Sequence, residues 1–545
     1  MAESALTSND ASSGSSEKSG GWGLPLIVLI AGMFMSILDT SIVNVAVPKI
    51  QNVFGSTTDE VQWIATAYTL ALGVVVPLSA WLSDRFGASR IYNISLIGFA
   101  AGSALCGLAW DLESLVVFRI IQAIPGGILP VVTLSMLYRI VPKDKLGTAM
   151  GMYGLGIIFA PAVGPTLGGY LVEYVDWRLI FFINVPVGIV GSLAAAMVLP
   201  KFGVVRKARF DALGFITIAV GLFALLLALT EGQDWGWTSA GTVTLLVVGV
   251  LSLALFVVIE LEVDEPLLDV RVFRYWPFTN SLLLISVLSV GLFAVLFYIP
   301  LFLQQAQGLG AFEAGVLLLP QALIMAVVMP VAGRLYDRIG PRWPAVVGLA
   351  IVTVGTWMLR DLTVTTPHWE ISLLLMLRAA GMGLAMMPVM TSGIAAVRPS
   401  DVNAASAFNN VVQRTAASLG LAILTAVLTT SSAQLAADRG GLTTDPSTLP
   451  VLGVGPQGQV AGMMSTYQQV QTQVFVEALD NLMIITTVIS LVAVGLAFML
   501  RSGPLPPSAP PPAAAPDAAA AQAPLEADEP AANEQVERIP TPTRS

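Results

Sequence analysis

A few polar side chains stand where an apolar chain is expected to carry none. Asp39 lies about fifteen residues into the first long apolar run, which begins near Leu24, and Arg119 lies a few residues into the fourth. At roughly 1.5 Å per helical residue, Asp39 falls near the middle or outer part of a bilayer about 30 Å thick. A carboxylate there costs at least about 2.5 kcal/mol on insertion scales. A buried guanidinium needs a partner, so Asp39 and Arg119 are expected to pair. Such a pair suits proton exchange. Burial favours the neutral acid, while the guanidinium favours the carboxylate, so a movement that separates the two lets Asp39 take up a proton. Ser36, Asp39 with Thr40, and Asn44 recur every three or four residues and form one polar stripe. That stripe is expected to face other helices or water rather than lipid. Arg414 is a further membrane arginine, expected to line a cavity or to bind backbone carbonyls.

Other chemistries are disfavoured. The single cysteine, Cys106, has no partner for an intramolecular disulfide and reads as a small packing residue. The single histidine, His368, falls in a predicted loop, so no metal or haem site and no cofactor is expected. Neither a phosphate-binding Gly-x-x-x-x-Gly-Lys loop nor a His-Glu-x-x-His pair occurs, which argues against direct ATP use and against a zinc membrane protease. No enzyme activity is expected.

The elements that position these residues follow from composition. The chain has 545 residues, 55% hydrophobic and 11% charged. Soluble domains carry about 25% charged residues, so this is a polytopic all-α membrane protein. Apolar runs of spanning length lie at 24–46, 61–82, 91–109, 114–137, 147–172, 179–199, 212–229, 240–261, 277–303, 313–335, 343–360, 371–396, 403–430 and 481–500, which makes fourteen. An even number places both termini on one side. Loops after even-numbered runs carry Arg85, Arg90, Arg139, Lys143, Lys145, Lys201, Arg206, Lys207, Arg209, Arg271, Arg274, Arg334, Arg338, Arg342 and Arg398. Loops after odd-numbered runs carry only Lys49, Arg178, Arg360 and Arg439. The excess of bases, with Lys18 and Arg501 added, predicts that both termini are cytoplasmic. The net charge of −9 arises partly in the tails and points to no partner.

The chain also repeats. Ala80-x-Leu82-x-Asp84-Arg85-x-Gly87 follows the second run, and Gly333-x-Leu335-x-Asp337-Arg338-x-Gly340 follows the tenth. Arg119 and Arg378 recur at nearly the same offset. Two parallel six-helix halves are therefore expected, with the seventh and eighth runs inserted between them. Residues 1–23 are a disordered N-terminus, 24–199 the first half, and 200–276 a linker holding the two extra helices. Residues 277–500 are the second half, with an outside loop at 431–480. Within that loop 463–480 reads as a surface amphipathic helix. Residues 501–545 are a disordered Pro/Ala-rich tail. Asp84 and Asp337 are placed to latch one helix group onto another, while Gly87 and Gly340 permit the tight reversal. In the fifth run Gly156, Ala160, Gly164 and Gly168 form a small-residue ridge suited to close helix contact, with Pro161 and Pro165 inside it.

These stretches resemble the major facilitator superfamily, and its fourteen-spanner drug:proton antiporter branch in particular. The two Asp-Arg-x-Gly turns resemble the family's signature loop, with Ala80 in place of a glycine in the first copy. Arg119-Ile120-Ile121-Gln122 resembles its helix-4 proton-coupling motif, which adds Gln122 to Asp39 and Arg119. Gly156 to Gly169, with Pro161, Gly164-Pro165 and Gly168-Gly169, resembles the antiporter motif of exporters. Leu38-Asp39-Thr40 to Pro48, Trp177-Arg178 through Asn184-Val185-Pro186, Pro300 to Gln304, and Asn403 to Ile423 with Asn410, Gln413, Arg414 and Gly420 are similar to the branch. The resemblance covers about residues 24–500. It implies a major facilitator fold and a proton-coupled efflux protein in the plasma membrane that exchanges drug-like molecules for protons. The expected cavity residues are Met35, Asn44, Phe297, Tyr298, Gln304 and Arg414. The alternatives are an exporter of one endogenous compound, such as an antibiotic, siderophore or lipid, and a non-transporting membrane sensor. The partners expected are a small molecule, protons and the bilayer, with no nucleic acid and a monomeric state.

Overall fold

A computed structural model describes residues 21–202, 209–440 and 456–501, and these are helical with no strand among them. The expectations for residues 1–20 (with Lys18), for Arg206 and Lys207, for 441–455 and for 502–545 lie outside the described residues. The helices are α1 Gly23–Phe54, α2 Thr58–Phe86, α3 Ala88–Gly107, α4 Leu112–Ile140, α5 Leu146–Tyr174, α6 Leu179–Phe182, α7 Asn184–Val198, α8 Ala212–Trp235, α9 Ala240–Glu262, α10 Trp276–Gln305, α11 Ala311–Ile339, α12 Arg342–Met358, α13 His368–Ile394, α14 Val402–Gly440 and α15 Pro456–Ala497. Long apolar runs favour helices because lipid offers no partner to an unpaired backbone group. Among the described residues thirteen helices, with α6 and α7 taken together, are long and apolar enough to cross a membrane by length and composition. Each of the fourteen expected spans falls on a helix. The one outside the thirteen is α3, whose first turns carry Arg90, Tyr92 and Asn93.

Two sets of helices pack among themselves. In the first, α1 lies against α4, α5 and α7, and α3 lies against α4 and α7. In the second, α13 lies against α10, α11 and α12, and α15 lies against α10, α12 and α14. The α8–α9 pair forms its own contact and reaches α2 and α14. The sets meet through α5 with α11 and α13, and through α14 with α2 and α4.

Helix α5 uses two small-residue faces. The ridge expected from the sequence packs on α1: a Cβ on Gly156 would lie 2.8 Å from Ile30 Cγ2, and one on Gly168 2.7 Å from Ile42 Cγ1. Gly169 has nothing within 4 Å. A second face, at Gly147, Gly151 and Gly154, packs on the other set. A Cβ on Gly151 would lie 2.7 Å from the Met329 carbonyl oxygen, and one on Gly154 2.7 Å from Met387 Sδ and 2.8 Å from Met329 Sδ. The core around this seam is rich in buried methionines, including Met150, Met329, Met386, Met387 and Met390.

Prolines inside α4 and α5 each free a carbonyl four residues back, because proline has no N–H. Helix α1 supplies the missing donor at two of them. Pro130 frees Gly126, whose oxygen accepts from Ser36 Oγ at 2.9 Å. Pro165 frees Pro161, whose oxygen accepts from Ser41 Oγ at 3.1 Å. The polar stripe of α1 is thus divided: Ser36 and Asp39 face α4, Ser41 faces α5, and Asn44 is exposed.

The end of the chain differs from the sequence expectation. Residues 463–480 are not a separate surface helix. They are the first half of α15, whose spanning part is Val470–Ala497. Ala478, Leu479 and Leu482 are buried beside α10 and α14 residues. The run of Gln468, Gln469, Gln471 and Gln473 hides the span from a hydropathy reading, but glutamine is a good helix former and continues the helix. At its other end, the loop gives its first residues to α14, which runs on to Gly440.

The serine–proline contacts make a direct prediction. Ser36→Ala strands the Gly126 carbonyl and is expected to cost about 1 kcal/mol or more. In a Pro130→Ala background the helix closes its own hydrogen bond, and the same substitution should cost close to nothing. Thermal unfolding of the four purified proteins tests this, and equal losses in both backgrounds would contradict it.

Candidate functional site

The charged centre is assembled by four helices. α1 brings Asp39, α4 brings Arg119 and Gln122, α3 brings Ser103 and Cys106, and α7 opens with Asn184. Asp39 and Arg119 are 0% and 1% exposed. Arg119 Nη1 donates to Asp39 Oδ2 in a close ion pair and to Gln122 Oε1 at 2.8 Å. The other carboxylate oxygen, Asp39 Oδ1, accepts from Gln122 Nε2 at 3.0 Å and from Asn184 Nδ2 at 2.9 Å. Ser103 Oγ accepts from the same two amides, at 3.1 and 3.0 Å, and donates to the Phe181 carbonyl at 2.9 Å. The guanidinium lies 3.6 Å over the Tyr68 ring on α2, a favourable place for a desolvated cation. Arg119 Nε and the Tyr68 hydroxyl lack a hydrogen-bond partner among the described residues.

This arrangement makes burial of two charges tolerable. Desolvation alone would disfavour both, so each polar atom must be satisfied. Three donors fix the carboxylate, and two amides bridge it to the guanidinium and to Ser103. The sequence reading brought Asp39, Arg119 and Gln122 together, and the structure joins them. It did not give Asn184, Ser103, Cys106 or Tyr68 a part. Asn184 was visible as an amide in an apolar stretch, but nothing in its type pointed to Asp39.

The expected cavity residues separate. Met35 is 2% exposed and packs in a cluster with Val28, Leu29 and Tyr92. It lies four residues before Asp39 on the buried side of α1, so it does not line a cavity. Tyr298 is also fully buried: its hydroxyl meets Thr425 Oγ1 at 2.7 Å, which fastens α10 to α14. Asn44, Phe297 and Gln304 are exposed, while Arg414 is half-buried. Arg414, on α14, is within electrostatic reach of Tyr68 on α2 and Tyr153 on α5, both in the other set. Arg378, the counterpart of Arg119, is buried without a carboxylate. Its guanidinium donates to the Gly291 carbonyl and to Thr356 Oγ1, the latter at 3.1 Å.

The repeated turns form a second constellation that spans both sets. Asp337 accepts from Gly147 N at 2.7 Å, Thr148 N at 2.9 Å and Thr148 Oγ1 at 2.7 Å, so it caps the start of α5. Free N–H groups and the positive end of the helix dipole suit a carboxylate there. Asp84 accepts from Asn403 Nδ2 near the start of α14 and stands 3.9 Å from Arg139 Nη2. Asn403 Oδ1 in turn accepts from Ser135 Oγ. Gly87 and Gly340 have φ of 89° and 83°, which favours glycine at both reversals. Arg85 is half-buried and Arg338 is exposed.

Comparison with known proteins agrees with this architecture. The family model described as Major Facilitator Superfamily matches residues 29–421. The lincomycin resistance protein LmrB of Listeria monocytogenes is 30% identical, with 82% of this chain and 92% of that one covered. The tetracenomycin C resistance and export protein of Streptomyces glaucescens is also 30% identical, over 87% of this chain and 91% of that one. The solved proton:xylose symporter XylE superposes with a TM-score of 0.57 at 12% identity, covering 88% of this chain and 96% of that chain, a likeness of fold.

Because the pair is buried, its halves should not contribute independently. Arg119→Gln leaves the Asp39 carboxylate uncompensated and is expected to cost about 3–5 kcal/mol if the acid stays charged. Adding Asp39→Asn removes the stranded charge and should recover much of that loss. Melting temperatures of the two singles and the double give the coupling, and additive losses would contradict it.

Proposed function

The chain belongs to the Major Facilitator Superfamily, and from that premise we propose a proton-coupled exporter of amphipathic drugs or dyes. It is a multi-pass membrane transporter of small molecules, not an enzyme. Two relatives of similar length are named for antibiotic resistance, one of them also for export. The observation that carries proton coupling is the buried Asp39 carboxylate, held by one guanidinium and two amides. Neutralising that carboxylate would weaken three donated contacts at once, so its charge is able to bias which arrangement of helices is stable.

In this reading the end of the bundle carrying Asp84 and Asp337 is cytoplasmic, as the basic loops suggest. The cross-set contacts at Gly147 and Gly151, with the Asp337 cap, then belong to a state closed towards the cytoplasm. Protonation of Asp39 from outside weakens its hold on Arg119. Release of the pair permits the opposite end to close and the Asp337 and Asp84 contacts to part. Drug then enters from the inside as the proton leaves. Asp39, Arg119 and Gln122 are assigned to coupling, with Asn184 as a positioning residue that fixes the carboxylate. Asp84, Arg85, Gly87, Asp337, Arg338 and Gly340 form the latch and its turns.

The test uses inside-out vesicles holding wild type or Asp39→Asn, with a proton gradient and lumenal pH followed on adding lipophilic cations and neutral drugs. Wild type should dissipate the gradient in a substrate-dependent way, and Asp39→Asn should not. Full exchange by folded Asp39→Asn would refute the coupling role. Silence of wild type across the panel would favour export of a single endogenous compound.

A further inference from the structure

The charged centre and the seam between the sets carry unequal charge. Among the described residues, Arg119, Arg378 and Arg414 lie well inside spanning helices, and of the three only Arg119 is paired with a carboxylate, Asp39. Arg119 and Asp39 neutralise each other and are sealed from solvent. Arg378 is also sealed, its donors given to the Gly291 carbonyl and the Thr356 hydroxyl. Arg414 differs. It is partly buried, and no hydrogen bond or ion pair to it is formed among the described residues. Its electrostatic neighbours, Tyr68 and Tyr153, belong to the opposite set and are themselves buried. Its partly buried guanidinium, on α14 with electrostatic neighbours on α2 and α5, lies where the two sets face each other.

A second group there lacks an acceptor. The Tyr68 hydroxyl is fully buried and forms no well-aligned hydrogen bond, with Thr40 its near neighbour. The Arg414 guanidinium and the Tyr68 hydroxyl are thus electrostatic neighbours, and the side chain closest to partnering the hydroxyl is Thr40. A buried donor left unmade is costly, and a guanidinium fork matches a carboxylate or sulfonate in two parallel bonds.

We propose that the space between the two sets binds an amphipathic organic anion through Arg414, with the Tyr68 hydroxyl as a second donor. This deepens the export reading by naming the charge class of the exported molecule, and it rests on that reading for the direction of transport. The apolar body of the ligand lies along the methionine-rich seam, where adaptable side chains accept varied shapes. Cations meet an unpaired positive charge and are disfavoured.

The probes are sulforhodamine B and rhodamine 6G, an anionic and a cationic dye on one xanthene skeleton. Equilibrium binding to the purified full chain in lipid nanodiscs should favour sulforhodamine B by about tenfold or more, the effect of one charge-assisted contact. Arg414→Gln should lose about tenfold for sulforhodamine B and leave rhodamine 6G within about twofold, while Arg414→Lys should retain part of the preference. Tyr68→Phe should weaken only the anion. Equal affinities, a cation preference, or no binding of either dye to wild type would overturn the proposal, and these readings do not depend on the variants folding. Transport separates it from the export reading. If sulforhodamine B binds through Arg414 yet never dissipates a proton gradient in vesicles, the anion site stands and proton exchange falls. If rhodamine 6G is exchanged for protons as readily as sulforhodamine B, proton exchange stands and the anion preference falls.

Discussion

The constraint on which the rest of the structure depends is the burial of a carboxylate and a guanidinium in one apolar bundle. Neither Asp39 nor Arg119 keeps meaningful contact with solvent. Their mutual attraction repays desolvation only with good geometry and full hydrogen bonding. That requirement explains why four helices converge on one point. Gln122 and Asn184 each bridge two acceptors, and Ser103 closes the ring onto the Phe181 carbonyl. It also explains the chemistry of α1's flanks. Ser36 and Ser41, on either side of Asp39, hold the carbonyls that prolines in α4 and α5 leave open. Helix α1 is thus fixed above and below its acid by polar contacts with the two helices that must stay aligned with it.

Helix α5 ties this centre to the two turns. One glycine face packs on α1 and another on α11. Its first amides are capped by Asp337 from the second set. A change in how α5 meets α11 is therefore felt by the helix that carries Asp39, without a continuous chain of charged groups between them. The pairing is repeated with different parts at Asp84, where a side-chain amide, Asn403, replaces the backbone N–H groups. The two copies of one sequence pattern hold the sets together by different chemistry.

Much of this was legible in the sequence, and for a physical reason. Charges at bilayer depth are so expensive that Asp39 and Arg119 stand out, and their pairing follows from cost alone. The spans were legible for the same reason. The residues that escaped are those whose cost is small until they are placed. Asn184 and Ser103 are uncharged, so their types do not announce a partner. Met35 and Tyr298 looked like lining residues because composition does not say which side of a helix faces inward. The start of α15 escaped because a helix is able to continue through glutamines that no hydropathy reading counts as membrane. Asp337 was expected to latch one helix group onto another; the partners it meets, the Gly147 and Thr148 amides, are backbone and leave no mark in the sequence.

The seam between the sets is lined by thioethers, with Met329 and Met387 pressed against the space at Gly154. Methionine suits a surface that must come apart and re-form, because it packs without a fixed shape. It is also oxidisable, and a sulfoxide is polar and chiral where the thioether was apolar. While the seam is shut, these sulfurs are sealed from water. In the proposed transport cycle the seam opens, and they then meet whatever peroxide or hypochlorous acid the surroundings hold. Oxidative damage to this protein would accordingly scale with how often it cycles rather than with how long it exists, and a molecule oxidised there could no longer close on a dry seam.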